Sequence, residues 1–321
     1  MRSPRIALVI LARQGSSRLR GKALAEVAGK PMIGHVVERV KRARGVETIV
    51  LATTRRPEDA PLLALAREYG IAGFAGSDED VLERTCRAAE FHRADAVVHI
   101  GGDCPFVDPL IVERALGIFL GARADYVTNI LLQTYPSGMD VNVFSREALA
   151  RAWQEAFLPT DRHHLCAYFH RHPERFRVKN FENDTPLADL RWTLDYPEDL
   201  EFVREVYRHL YREGKIFHQE EILNLLGKHP EIAAINQARA LKLSERPAAW
   251  DSEGYLADLH TELLAVTAGA VENDRQERFD IAEELYRELA VIARELAERA
   301  HALRKGGKVL CENIGGGGVT Q

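Results

Sequence analysis

The run Ile6-Ala7-Leu8-Val9-Ile10-Leu11 is short, continuous and apolar, and it stops abruptly in Ala12-Arg13-Gln14-Gly15-Ser16-Ser17-Arg18-Leu19-Arg20-Gly21-Lys22. Such a run reads as a strand buried on both faces. A buried strand that feeds a basic, glycine-containing loop points to an α/β architecture. There, backbone N–H groups and cationic side chains beyond the strand's carboxyl end converge on phosphates. The loop carries neither G-x-x-x-x-G-K-[ST] nor G-x-G-x-x-G. P-loop ATPase chemistry and hydride transfer therefore lose ground.

The chain beyond the loop keeps an α/β rhythm. Pro31 to about Ala43 reads as a helix, with Ile33, Val36, Val37 and Val40 on one face. A strand is expected over 47–53, a helix over 57–69 and a short strand over 71–75. Ser77-Asp78-Glu79-Asp80 resembles a capping box, with Ser77 as cap and Asp80 as its reciprocal acid, opening a helix to about His92. The strand at 95–100 runs into Gly101-Gly102-Asp103-Cys104-Pro105, and Asp108-Pro109 opens a helix to Gly121. This alternation predicts a doubly wound, mostly parallel sheet with ligands beyond the strands' carboxyl ends. The first loop and Asp103 share that edge.

After Ala124 the rhythm loosens. Strands are expected at 125–129, 139–144, 176–181 and 190–194, with helices at 145–157 and 161–171. A further helix opens at Asp195-Tyr196-Pro197-Glu198-Asp199. This middle block is a candidate substrate lid or dimer surface. Two units are expected: a catalytic domain over 1–228 and a helical extension over 229–321. In the extension, helical spacing occurs at 230–243, 253–268 and 274–304, and Gly315-Gly316-Gly317-Gly318 marks a flexible end.

Composition narrows the function. A formal net charge of −5 disfavours a general nucleic-acid binder. Cys86, Cys104, Cys166 and Cys311 form no C-x-x-C pair, so neither a zinc ribbon nor a disulfide framework is indicated. The first apolar run is too short to span a bilayer. A reducing, cytoplasmic setting and no membrane partner are expected.

Arg13, Arg18 and Lys22 suit a triphosphate, arginine as a bidentate fork and lysine as a point charge. Asp103, after two glycines at a strand end, suits Mg²⁺ held against phosphates. Asp195 also follows an apolar segment and precedes Pro197, leaving it free to face the site. Cys104 reads as a small buried residue, since no general base lies nearby in sequence. Asp108 reads as a helix cap.

These residues resemble a known family. Residues 12–22, Gly29-Lys30-Pro31-Met32, Gly102-Asp103-Cys104-Pro105 and Leu194-Asp195-Tyr196-Pro197-Glu198-Asp199-Leu200 are similar, in that order, to the CMP-sugar synthetases that make CMP-KDO and CMP-sialic acid. The likeness is strongest to the SpsF-like branch, in which Ser77, Asp80-Val81-Leu82, Arg84 and Gly138-Met139-Asp140-Val141-Asn142-Val143-Phe144 also find counterparts. It covers about residues 5–228. It implies the Rossmann-like nucleotide-diphospho-sugar transferase fold, a homodimer, and transfer of CMP from CTP to an acidic acceptor with release of diphosphate. By the same resemblance, Leu11, Ala12 and the Ser77 region with Arg84 read the base. Arg13, Gly15, Ser16, Arg18 and Lys22 hold the phosphates, Asp103 and Asp195 bind Mg²⁺, and Arg13, Lys22, Asp103 and Asp195 carry catalysis.

Tyr135, Asp140, Asn142, Arg162 and His163 fall in the block that resembles the acceptor site. Asn142 and His163 stand where the branch often carries acids. That change favours a more negative acceptor: a nonulosonic acid, a sugar phosphate or a phosphonate. The histidines at 163, 164, 170 and 172 otherwise read as a solvated helix face. Two other readings stay open at this point: a nucleotidyltransferase for another NTP, and a non-catalytic scaffold that recruits a glycosyltransferase.

Overall fold

The computed structural model describes residues 4–16, 18–156 and 158–240. The segments expected at 253–268 and 274–304, the glycine run and Cys311 lie outside the described residues.

The strands are β1 (Ile6–Leu11), β2 (Glu26–Val27), β3 (Lys30–Pro31), β4 (Thr48–Thr54), β5 (Ala72–Gly76), β6 (Ala96–Gly101), β7 (Tyr126–Thr128), β8 (Asn142–Ser145) and β9 (Val178–Asn180). The helices are α1 (Met32–Val40), α2 (Ala60–Glu68), α3 (Val81–Phe91), α4 (Pro109–Ala122), α5 (Arg146–Glu155), α6 (Pro159–His163), α7 (Ala167–Arg171), α8 (Pro197–Leu210), α9 (Gln219–Lys228) and α10 (Pro230–Gln237). Seven strands form one sheet in the order β5-β4-β1-β6-β8-β7-β9, parallel except for β8, which runs against both β6 and β7.

Strand β1 is central, and its continuous apolar sequence follows from that position. Ile6, Leu8 and Ile10 join one core with α1, α4 and α8, while Ala7 and Val9 join the other with α3, α5 and α7. Alternation along a strand sends successive side chains to opposite faces, and here both faces are covered. Register then brings the loops together: Leu11 pairs with Gly101, so the segments after β1 and β6 emerge side by side.

Three local expectations are corrected. Asp80, not Ser77, caps α3: its Oδ1 accepts from Glu83 N at 2.7 Å, while Ser77 Oγ accepts from Asp80 N one turn earlier. The single helix expected over 161–171 is two short ones, α6 and α7, because His164 adopts extended backbone between them. The segment 190–194 is not a strand. It makes one isolated bridge, Ser137 with Arg191, and Leu194 N then turns to the carbonyl of Asp103 at 2.9 Å.

Helix α10 packs on α8, and Ile232 joins the core beside α8 and α9. Gly138 brings two loops into contact. Its φ is 99°, and a Cβ there would lie 2.5 Å from Thr193 N. Backbone on both sides leaves no room to yield. Gly138→Ala is therefore expected to cost about 2–4 kcal/mol of stability by chemical denaturation. A loss below half a kcal/mol would show that the contact relaxes freely.

Candidate active site

The loop after β1 is anchored at its base before it reaches outward. The carbonyl of Gln14 accepts from Ser16 N at 2.9 Å and Gly21 N at 3.1 Å. Gln14 N in turn donates to Asp59 Oδ1 at 2.6 Å, and the Thr54 hydroxyl donates to the other oxygen of that carboxylate. Gly21 supplies a left-handed turn at φ 74°, which hands the chain to Lys22. Gly102 closes the other side. A Cβ on it would lie 2.7 Å from both Ala12 Cβ and the Leu11 carbonyl, so only glycine lets these two loops touch.

Lys22 Nζ sits among three oxygens: Asp103 Oδ2 at 2.8 Å, Asp195 Oδ1 at 2.9 Å and the Leu194 carbonyl at 2.8 Å. Arg18 reaches Asp195 Oδ1 at 2.8 Å, and Arg191 reaches its Oδ2 at 3.2 Å. Burial works against the charged form of Lys22, but Asp103 and then Asp195 outweigh it and raise its pKa. Burial likewise opposes ionised Asp195; Lys22, then Arg18 and Arg191, outweigh it and lower its pKa.

Asp195 is held from behind by Asp199. The fully buried Asp199 carboxylate takes a two-point grip from Arg191, Nε to Oδ1 at 2.9 Å and Nη2 to Oδ2 at 2.8 Å. It also accepts from the backbone N–H groups of Asp195 and Tyr196 and from Asn236 Nδ2 on α10. Pro197 opens α8 as expected, and Asp199, an acid in that helix's first turn, also holds the turn before it.

Beside this cluster lies an open cleft of about 820 Å³ lined in part by Leu11, Ala12, Arg13, Ser16, Arg18, Lys22, Arg84, Asp103 and His163. Gly15 follows Gln14 in the same loop. Ser77 contributes at second hand: its carbonyl accepts from Arg84 Nη1 at 2.6 Å. Burial, then the nearby Arg13 cation, lowers the Arg84 pKa. Cys104 is buried. Burial first, then the Asp103 charge, pushes its thiol pKa well up, so it stays a thiol.

The acceptor-block residues divide. Tyr135 lies in the core with α1 and α4, its hydroxyl accepting from Arg114 at 2.9 Å. Gln133 Nε2 approaches Asp140 Oδ1 at 3.5 Å. Asn142 is buried on β8, where its Oδ1 accepts from Tyr126 at 2.8 Å and Thr128 at 2.7 Å. Arg162 braces the α3 cap through Asp80 Oδ2 at 2.6 Å, and His163 rests near the Glu79 carbonyl at 3.3 Å. His163 and His164 are exposed, but His170 and His172 are buried, against the expectation of one solvated face. The His170 ring packs against Tyr126 and the His172 ring against Tyr168, two aromatic residues of the second core.

Among the described residues no group of three or more His, Cys, Asp or Glu side chains could hold a metal ion. Two carboxylates converging on one ammonium are nonetheless the donor set that Mg²⁺ uses when substrate phosphates complete its shell. The donors fit a metal that arrives with a nucleotide and do not fit a caged structural ion.

A mostly parallel sheet with a basic loop and two carboxylates at its carboxyl edge defines a nucleotidyltransferase-type enzyme. The family model described as Cytidylyltransferase matches residues 7–291, and the chain belongs to that family. The chain is 26% identical over 245 residues to the spore coat polysaccharide biosynthesis protein SpsF of Bacillus subtilis, covering 73% of this chain and 98% of that one. It is 28% identical over 244 residues to the 8-amino-3,8-dideoxy-manno-octulosonate cytidylyltransferase of Shewanella pealeana, covering 74% and 86%. A cytidylyltransferase from Leptospira borgpetersenii superposes with a TM-score of 0.69 at 27% identity, covering 72% of this chain and 97% of that structure.

Asp199 sets a stability test. Its burial opposes ionisation, but Arg191, Asn236 and the Asp195 N–H outweigh that and lower its pKa below the ordinary value of 3.8. A depressed folded-state pKa contributes stability above the unfolded value, lost as pH falls through the folded one. Asp199→Asn is expected to cost about 2–4 kcal/mol at pH 7. It should also flatten the loss of stability below about pH 4. Urea titrations from pH 7 to 3 check both, and an unchanged acid limb would remove Asp199 as its source.

Proposed function

We propose that the chain transfers CMP from CTP to a hydroxyl of an acidic, sugar-type acceptor. The acceptor oxygen bonds to the α-phosphorus, the bond to the bridging oxygen of the β-phosphate breaks, and diphosphate leaves. The observation that carries this is the meeting of Lys22, Asp103 and Asp195 at the mouth of a basic cleft. Phosphoryl-type transfer needs positioning and charge stabilisation more than a protein nucleophile. The buried Cys104 thiol is no nucleophile.

Asp103 and Asp195 would hold Mg²⁺. When bound, the ion neutralises phosphate charge and lowers the pKa of an attacking hydroxyl. Arg13 and Arg18 would grip the β- and γ-phosphates and steady the departing diphosphate. Leu11, Ala12 and Arg84 would frame the base. An acid acceptor agrees with the octulosonate named for the Shewanella relative. Lys22 would move from the carboxylates to the phosphates, and its ammonium is what a divalent cation must displace.

Diphosphate release is the direct test, run with each of four NTPs, with and without Mg²⁺, over a panel of sugar acids. CTP with Mg²⁺ and one acid should turn over and give a CMP conjugate by mass. Tight CTP binding without turnover on any acid would overturn the reading.

Asp103→Asn and Asp195→Asn are each expected to lower kcat by about 100-fold or more. A wild-type rate in either would remove that residue from the metal site. Lys22→Met should weaken CTP use and also let Mn²⁺ bind without nucleotide, read by the loss of its free electron-spin signal. Equal Mn²⁺ binding by wild type and variant would deny the competition.

A further inference from the structure

A second constellation lies on the same sheet edge, and the transfer chemistry does not use it. His99 stands on β6 two residues before Gly101, so both positions face the same side of the sheet. A Cβ on Gly101 would lie 2.6 Å from Asp103 Oδ1, so the Asp103 carboxylate folds back over that side. His99 is therefore next along the strand to the carboxylate of the transfer site. Across the sheet it pairs with Asn142, where Asn142 Nδ2 faces its Nδ1 at 3.4 Å.

The surrounding groups decide how the Asn142 amide and the His99 ring are oriented. Thr128 is fully buried, and its hydroxyl oxygen accepts from Ile130 N at 3.3 Å. Its own proton goes to Asn142 Oδ1 at 2.7 Å, and Tyr126 donates to the same oxygen at 2.8 Å. The Tyr126 hydroxyl also lies 2.7 Å from His170 Nε2. With its carbonyl taken twice, Asn142 can offer His99 only an N–H. His99 Nδ1 must accept it, and the ring's proton then sits on Nε2. Burial lowers the pKa of His99 to about 4 and of His170 to about 3, so both rings are neutral at pH 7. His99 is partly exposed, and the hydrogen bond found on its ring among the described residues is the one from Asn142 at Nδ1.

We propose that the Nε2–H of His99, held in that tautomer by Asn142, reads the acceptor by donating a hydrogen bond to its carboxylate. This rests on the proposed transfer to an acid acceptor. A neutral donor beside Asp103 recognises an anionic oxygen without adding a cation that would compete for the metal's carboxylates. Asn142 and Tyr126 act through His99 and are positioning residues.

The test has two arms. In the first, ¹⁵N NMR of histidine-labelled full-length protein at pH 7 should show His99 as the neutral Nε2–H tautomer. Tyr126→Phe should blur that preference. A neutral Nδ1–H ring or an imidazolium in the wild type overturns the proposal.

In the second arm, kinetics use CTP with 3-deoxy-manno-octulosonate and 8-amino-3,8-dideoxy-manno-octulosonate as probe acids. His99→Ala should raise the acceptor KM by about 10-fold or more, with the CTP KM within about twofold. His99→Gln, which restores an N–H at similar reach, should recover much of that loss. An acceptor KM left unchanged by His99→Ala overturns the assignment to His99 alone. Wild-type failure with every acid overturns both the proposed function and the inference built on it.

Discussion

One ammonium holds the candidate site together. Lys22 Nζ bonds to carboxylates 81 and 173 residues further along the chain. Burying that amine alone would cost several kcal/mol, and the two carboxylates offset the loss. The inner cluster is electrically balanced: Lys22, Arg18 and Arg191 face Asp103, Asp195 and Asp199. A triphosphate entering such a cluster brings charge that nothing inside it is free to neutralise. In the proposed reaction that offset would come from Arg13 and Arg84 in the cleft and from a divalent cation. Nucleotide and metal would then enter together, because each would supply what the other needs.

The sheet makes this cluster possible by register. Leu11 pairs with Gly101, and Gly102 N donates to the Leu11 carbonyl at 2.8 Å, so the first loop and the Asp103 loop leave the sheet as neighbours. The Asp195 turn has no strand to carry it there. It is drawn in by backbone bonds, Trp192 N to the Ser137 carbonyl at 2.7 Å and Leu194 N to the Asp103 carbonyl at 2.9 Å. Helix α8 begins two residues after Asp195, and the Asp199 carboxylate at its first turn locks the approach. Helix α10 adds Asn236 to that lock, so a contact beyond residue 228 reaches the back of the site.

What could be read from the chain follows from how local each signal is. The strand at Ile6–Leu11 and the helix after Pro31 are legible because burial on two faces, or on one, leaves a period in the sequence. Asp103 is legible because it follows a strand and two glycines. Gln14, Asp59, Arg191 and Asn236 are not: each takes its role from a partner met only in the fold. The partner separations are 45 residues for Gln14 with Asp59 and 37 for Asn236 with Asp199. Asp199 carried a local signal, an acid in a helix's first turn, and that adequate local reading hid its tertiary one. The 190–194 segment misleads for a related reason. Its apolar residues are buried by the core, yet its backbone bonds go to loops, not to a ladder.

Two neighbourhoods flank Asp103 at this sheet edge, and they differ in charge for a physical reason. One holds the ionised cluster around Lys22. The other holds His99, Asn142, Tyr126, Thr128 and His170, a buried polar network in which the histidines are neutral at pH 7. A second set of full charges beside Asp103 would compete with whatever cation the carboxylates take, and the low dielectric would magnify the competition. Neutral donors avoid it and still impose direction, because a fully satisfied network can orient only one way. In the proposed reaction the phosphates would meet charge at Asp103, while the acceptor would meet a directed neutral donor at His99, four residues earlier in the chain.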